Sequence, residues 1–294
     1  MFTNTTSPNP FVFNIDIYTD TVCPFSYLGF LSLTRAISSF SSSSPFTPTT
    51  PIPTPIFNLT YHPYILYPTA RPSSRALGTA LKYIYSSSSS SHSSQTKTSI
   101  LTHLDNLAEG YNIIFNWEGL TGNSRDSHRL VLLSQLRWQN HHHNHHNHHN
   151  HQTFMTALYR ANFELGQDIS NRTTLSNLGV DTGLFTSEQD GLAWLESDAL
   201  GPEVDAESQK ARTEIGVRAV PSYVVNNKWV VGGMQDRAMW EGLFSKILKL
   251  QSVSVTGTVG GEKEEVGAGE GGGGGAGGGA CHGRNCRFVV DNNG

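Results

Sequence analysis

The sequence predicts a mixed α/β fold in which a long helical segment separates two strand-bearing units, and three observations point to it. An alternating apolar run, "FVFNIDIYTD", leads straight into a helix that opens on Cys23-Pro24. Several segments between about Ser73 and Leu200 carry helical rather than two-residue periodicity. Beyond them, "PSYVVNN" and "KWVVGG" read as a hairpin across Asn226-Asn227, followed by a closing amphipathic helix.

Taken in order, the first strand places Phe11, Phe13, Ile15 and Ile17 on one face and Val12, Asn14, Asp16 and Tyr18 on the other. Pro24 falls in the first turn of the next helix, where its missing N–H is harmless and its fixed φ suits the turn. That helix carries Tyr27, Leu28, Leu31, Leu33 and Ile37 and is expected to end in the Ser/Pro tract. A second strand runs from Ile56 to Tyr64. The helical stretch then contains "RALGTALKYIY", "SILTHLDNLAEGYN", "DSHRLVLLSQLRWQ", "FMTALYRANFELG" and "GLAWLESDAL". Asn123 and Asp126 form an N-cap pair for the third of these, and "GQDIS" reads as a C-cap glycine leading into the next cap. "EVDAESQKARTEI" is a helix stopped by Gly216, and "DRAMWEGLFSKILKL" closes the fold. Trp117, Trp138, Trp194 and Trp240 read as core residues.

Four biased tracts interrupt this pattern: Ile37 to Pro55 (Ser/Thr/Pro), Ser86 to Ser94, the histidine run His141 to His151, and a Gly-rich stretch from about Gly257. None buries apolar side chains, so each is expected to be a loop or disordered. Roughly two hundred residues remain, which suits one domain carrying an insertion. The expected division is 11–66 (loop 38–55), an inserted helical domain 67–201 (tracts 86–94 and 141–151), 202–250, and a tail 251–294. A net charge of −4 with no basic stripe argues against a nucleic-acid partner. No apolar run approaches the ~18 residues of a membrane span, and the N-terminus lacks a secretory pattern, so a cytoplasmic location is expected. The histidine run offers metal ligands without a fixed geometry, and no metal site is expected.

In that reducing setting three cysteines, Cys23, Cys281 and Cys286, point to reactivity rather than to a disulfide scaffold. Cys23 at a helix N-terminus faces unpaired N–H groups and the positive dipole end, which favour the thiolate. Ser26 stands where a dithiol enzyme has its second cysteine; its hydroxyl donates a hydrogen bond but cannot attack a mixed disulfide. Cys281 and Cys286, in "CHGRNC", are candidate resolving thiols, since about 31 residues of flexible chain reach on the order of 30 Å.

"CPFSYLGF" after a strand, "DSHRL", "GQDIS" and "GVRAVPSYVV" with "GGMQ" behind it resemble the DsbA-like thioredoxin family. The likeness is to its FrnE-type branch, related to kappa-class glutathione transferases and 2-hydroxychromene-2-carboxylate isomerases, and spans residues 11–85 and 100–250. The resemblance implies a thioredoxin fold with an all-helical domain inserted after the second strand. It also implies a cis peptide before Pro221, packed on the cysteine, with the backbone of Val220 pairing to a bound peptide or to glutathione. Pro24 and Phe25 would border the ligand. Gln235, Asp236 and Arg237 resemble the kappa-class stretch that holds the γ-glutamyl end of glutathione. Asn123 and His128 fall where the family's helical domain walls the active site. FrnE-type members have a second cysteine where this chain has Ser26, and the kappa enzymes have serine where it has Cys23.

Three functions fit these residues. The first is monothiol exchange of Cys23 with glutathione as co-substrate or with protein thiols and disulfides, with no permanently bound cofactor. The second is a kappa-like glutathione transferase or isomerase. The third is a peptide-binding thioredoxin module without turnover.

Overall fold

The computed structural model describes residues 10–42, 54–70, 75–87, 94–141 and 148–256. Cys281 and Cys286 lie outside the described residues, as do most of the Ser/Pro loop, most of the serine tract and the middle of the histidine run.

A four-stranded sheet has the order β2-β1-β5-β6, built from β1 (Val12–Thr19), β2 (Ile56–Pro63), β5 (Ser222–Val225) and β6 (Trp229–Gly232). β1 is central, parallel to β2 and antiparallel to β5, with Ile15 opposite Leu59 on one side and Val225 on the other. Its alternation does what the pattern requires: Phe13, Ile15 and Ile17 are buried on one face. Asn226 and Asn227 both take positive φ in the three-residue turn that lets Val225 pair with Trp229, a left-handed conformation that asparagine tolerates. On the sheet pack α1 (Pro24–Ser42) and α9 (Arg237–Thr256). Phe13 stacks on Phe57 at 4.8 Å between ring centroids, and Phe244 lies 5.0 Å from both.

Between β2 and α8 (Gly201–Thr213) sits the insertion, with α2 (Leu77–Ser87), α3 (Ser94–Glu109), α4 (Arg125–His141), α5 (His148–Phe163), α6 (Arg172–Asp181) and α7 (Glu188–Glu196). It also holds a two-stranded ladder, β3 (Arg75–Ala76) with β4 (Leu120–Thr121), so the insertion is not purely helical. Two residues per strand are too few for periodicity to register. Arg129, fully buried in α4, ties its neighbours together. Its guanidinium donates to Asp126 and to the carbonyls of Leu195 and Ala199, and it lies over the Trp194 ring at 4.8 Å.

Several expected boundaries move. The loop expected from 38 begins later, because α1 runs on to Ser42 and buries Phe40. Leu33, Ala36 and Phe40 continue one apolar stripe, and serine is only a mild helix breaker. The histidine run is structured at its ends: His141 closes α4, His148 opens α5, and His151 is buried. The His151 ring packs edge-on against Tyr61, with Nδ1 against the Ser134 hydroxyl. Composition hid this, since His151 shares the α5 face of Phe154 and Met155. α9 reaches Thr256, past the tail boundary expected at 251. Asn123 is not the residue next to α4, a place taken by Ser124, although its Oδ1 accepts from the Arg125 N–H at 2.8 Å. The cap after "GQDIS" is Asn171, whose side chain accepts from the Thr173 N–H.

Phe40 supplies the test of the first of these corrections. Phe40→Ala should lower unfolding free energy by about 3 kcal/mol, read from urea denaturation. A surface loop residue would give a change within about 0.5 kcal/mol.

Candidate active site

Cys23 ends the β1–α1 connection. Its N–H donates to the Asp20 carbonyl at 3.1 Å, and its own carbonyl accepts from the N–H groups of Ser26 (3.0 Å) and Tyr27 (3.2 Å). It is therefore the residue that caps α1, with Pro24 as the first helical position. The Val220–Pro221 peptide is cis. The Cys23 thiol points at the Val220 carbonyl, 3.7 Å away, and shares a small apolar cluster with Tyr18, Tyr64, Val217 and Val220. Gly29, nearly two turns further along α1, lets this happen: a side chain there would collide with the Tyr223 hydroxyl and the Pro221 ring.

The thiolate expected at this helix terminus is not the favoured state. Burial pushes the Cys23 thiol up to about 11, and the nearby Asp20 charge adds to the rise. The N–H groups of Ser26 and Phe25 and the Ser26 hydroxyl pull the other way without cancelling it. The magnitudes explain the outcome. A helix terminus contributes about 0.3–1 kcal/mol, whereas burial shifts a titrating group by up to several pKa units at about 1.4 kcal/mol each.

Under the cysteine lies a polar junction of which the sequence pointed only to His128. Asp20 is fully buried, and its Oδ2 accepts from the Leu66 N–H at 2.7 Å. Its Oδ1 accepts from the Val22 N–H at 3.3 Å and lies 3.2 Å from Nε2 of the buried His128. Thr21 and Ser127 hydroxyls meet at 2.6 Å, and Asn162 donates to the Thr21 carbonyl at 3.2 Å. The one further signal available was an acid three residues before the cysteine, in "DTVC".

A cleft of about 380 Å³ opens beside the sulfur. Val22, Cys23 and Pro24 form one wall, and Tyr67, Leu77 and Leu81 of the insertion face them. Burial, then the proximity of Cys23 and Asp20, pushes the Tyr67 phenol up to about 12, so it remains a neutral donor.

The remaining expected residues divide. Cys23, Ser26, Val220 and Pro221 converge, and His128 joins them through Asp20. Phe25 is half-buried and packs against the main core and the small cluster around Cys23. Asn123 sits behind the cleft wall, its amide donating to the Ala70 carbonyl at 2.9 Å. Gln235, Asp236 and Arg237 do not line the cleft. Gln235 donates to the Gly232 carbonyl, Asp236 caps α9 through the Met239 N–H, and exposed Arg237 pairs with Glu241. Among the described residues no cluster of three metal-ligating side chains occurs.

Residues 14–243 match the DSBA-like thioredoxin domain. The chain belongs to that family. Solved structures with the same fold include a "probable DsbA oxidoreductase" from Streptomyces coelicolor, with a TM-score of 0.60 and 19% identity over 86% of this chain and 94% of that one. A 2-hydroxychromene-2-carboxylate isomerase scores 0.53 at 15% identity, covering 81% and 98%. The cytosolic disulfide reductase DsbM from Pseudomonas aeruginosa scores 0.50 at 13% identity, covering 81% and 99%. Among curated proteins none matches the chain significantly. As a member of the DSBA-like family, the protein is a thioredoxin-fold chain.

Two pH dependences follow from the site. Alkylation of Cys23 by iodoacetamide, followed by peptide mass mapping, should rise about tenfold per pH unit from pH 7 to near 11; a plateau below pH 8 would show a thiolate at rest. The second concerns His62, which stacks on Tyr18 and places its ring nitrogens 3.0 Å from Asp16 and 3.4 Å from Glu207. Burial opposes the charged ring, but hydrogen bonds to Glu207 and Asp16 outweigh it and raise the pKa. The resulting stability is complete below the unfolded value of about 6.5 and is lost as pH rises through the higher folded value. His62→Gln should therefore cost about 0.5–1 kcal/mol at pH 5.5, measured by denaturation, and the cost should shrink above pH 8.

Proposed function

We propose that Cys23 carries out thiol–disulfide exchange by a monothiol route, with glutathione as co-substrate or protein thiols as partners. The observation that carries this reading is the joint placement of Cys23 at the head of α1 against the Val220 carbonyl and of Ser26, not cysteine, one turn on. Cys23 attacks a disulfide, its sulfur bonds to one half, and the other half leaves as thiolate and takes up the proton that Cys23 gave up. Ser26 and the first N–H groups of α1 steady the sulfur charge during attack. No second thiol stands at position 26, so the mixed disulfide persists until an external thiol, or one from Cys281 or Cys286, cleaves it. This chemistry suits a reducing, cytoplasmic setting.

The raised Cys23 pKa favours a second reading, a kappa-like glutathione transferase or isomerase. With its thiol pushed up to about 11, Cys23 is at pH 7 a neutral S–H donor suited to hold the thiolate of a bound tripeptide. In that role serine would replace it.

One experiment separates the two. After incubation of the chain carrying Cys281→Ser and Cys286→Ser with oxidised glutathione, intact-mass analysis should show one adduct, mapped to Cys23 and absent when Cys23→Ser is added. Ser26→Cys should shorten the adduct's lifetime at least tenfold by internal attack and add reductase activity on a model protein disulfide. If wild type never carries the adduct and Cys23→Ser turns over a generic electrophile with glutathione at the full rate, the transferase reading replaces the exchange reading.

A further inference from the structure

We propose that the cleft beside Cys23 selects a small disulfide whose apolar, ring-sized body carries a carboxylate, held by Arg75; this rests on the exchange reading of Cys23. Three observations support it. The cleft is about 380 Å³ and bounded by Leu66, Leu77 and Leu81, a volume and lining suited to a compact apolar ligand. Arg75 is the charged side chain among those that line it, and it makes no ion pair among the described residues. Nearly every other arginine contact in the insertion is committed: Arg125 to Asp198 and Asp205, Arg129 and Arg172 to Asp126. An exposed, unpaired guanidinium at the rim of an apolar cleft is a carboxylate receptor, because it offers a planar two-donor fork. Tyr67, neutral at physiological pH, supplies a further donor on the same wall.

The geometry joins recognition to reaction. Cys23 lines the same cleft, so a ligand whose carboxylate meets Arg75 and whose apolar body rests on Leu77 and Leu81 brings its S–S bond to the sulfur. Attack forms the Cys23–S–S–R bond, breaks the ligand's S–S bond, and releases the second half as thiolate, which takes the proton that Cys23 loses. The oxidant is the ligand disulfide itself. Release of the retained half requires a second, external thiol.

The test uses the full chain carrying Cys281→Ser and Cys286→Ser, so that Cys23 is the thiol that reports. Its reaction rate is measured with three probes: dithiobis(nitrobenzoate), an aromatic disulfide bearing carboxylates; dithiodipyridine, a neutral aromatic disulfide; and iodoacetamide, which reads intrinsic thiol reactivity. Arg75→Gln should slow the anionic disulfide by about three- to fivefold while leaving the neutral disulfide and iodoacetamide unchanged. Arg75→Lys should restore most of the loss, and added salt should narrow the gap between wild type and Arg75→Gln. Equal rates for wild type and Arg75→Gln with the anionic disulfide, or equal slowing of both disulfides, would overturn the role of Arg75 and leave exchange at Cys23 standing. Iodoacetamide labelling without reaction of either disulfide would instead overturn the exchange reading, and this inference with it.

Discussion

Asp20 binds together three segments that lie far apart in the chain, and the placement of Cys23 depends on it. Its two carboxylate oxygens take the Val22 N–H of the β1–α1 loop and the Leu66 N–H at the start of the insertion, and meet the His128 ring from α4. Its backbone carbonyl takes the Cys23 N–H. A carboxyl group buried without such donors would cost several kcal/mol, so its surroundings must be complete for the fold to form. The Thr21–Ser127 and Asn162–Thr21 contacts strengthen the same junction from α4 and α5. The insertion is thus the other half of the socket that presents the cysteine, and its loss would take the His128 ring from Asp20 and the Ser127 and Asn162 contacts from the loop.

That socket also decides the state of the sulfur. A helix N-terminus alone stabilises a thiolate modestly, and the same terminus packed beneath Val217, Val220, Tyr18 and Tyr64 removes the water that would solvate the charge. Burial wins in the resting protein. What the terminus contributes is therefore a partial offset to burial, from hydrogen bonds that Ser26 and Phe25 make to the sulfur. The N–H groups of Phe25 and Ser26 are fixed in advance by α1 and need no rearrangement when charge develops on the sulfur.

How much of this was readable in sequence follows from the range over which each signal acts. β1, the Pro24 helix start, the Asn226-Asn227 hairpin and the helical periods of the insertion rest on local patterns, and the structure has them where the patterns lie. Low complexity misled where a tract's edge joined an apolar stripe: Phe40 and His151 are core residues inside serine- and histidine-rich runs. The site was half visible. Cys23 and Ser26 announce themselves by spacing, whereas Asp20, Tyr67 and Arg75 acquire meaning only when residues tens to more than a hundred positions apart are folded together. Burial is equally non-local, which is why a helix-terminus argument gave the wrong ionisation for Cys23.

Exchange and transfer at this site would differ in which sulfur carries the charge. If Cys23 attacks, the N–H groups of α1 and the Ser26 hydroxyl stabilise its own developing charge, and the barrier includes removing a proton from a thiol held near 11. If a bound tripeptide supplies the nucleophile, Cys23 keeps its proton and donates it, and the high pKa becomes an asset. Ser26 suits either case, since a hydroxyl donates to whichever sulfur is anionic and closes no disulfide. A cysteine at 26 would remove that neutrality, because internal attack would outrun any external thiol at ordinary concentrations. In the exchange reading, serine at this position therefore makes the lifetime of the mixed disulfide, and with it the rate of turnover, depend on the supply and fit of a second thiol from elsewhere than position 26.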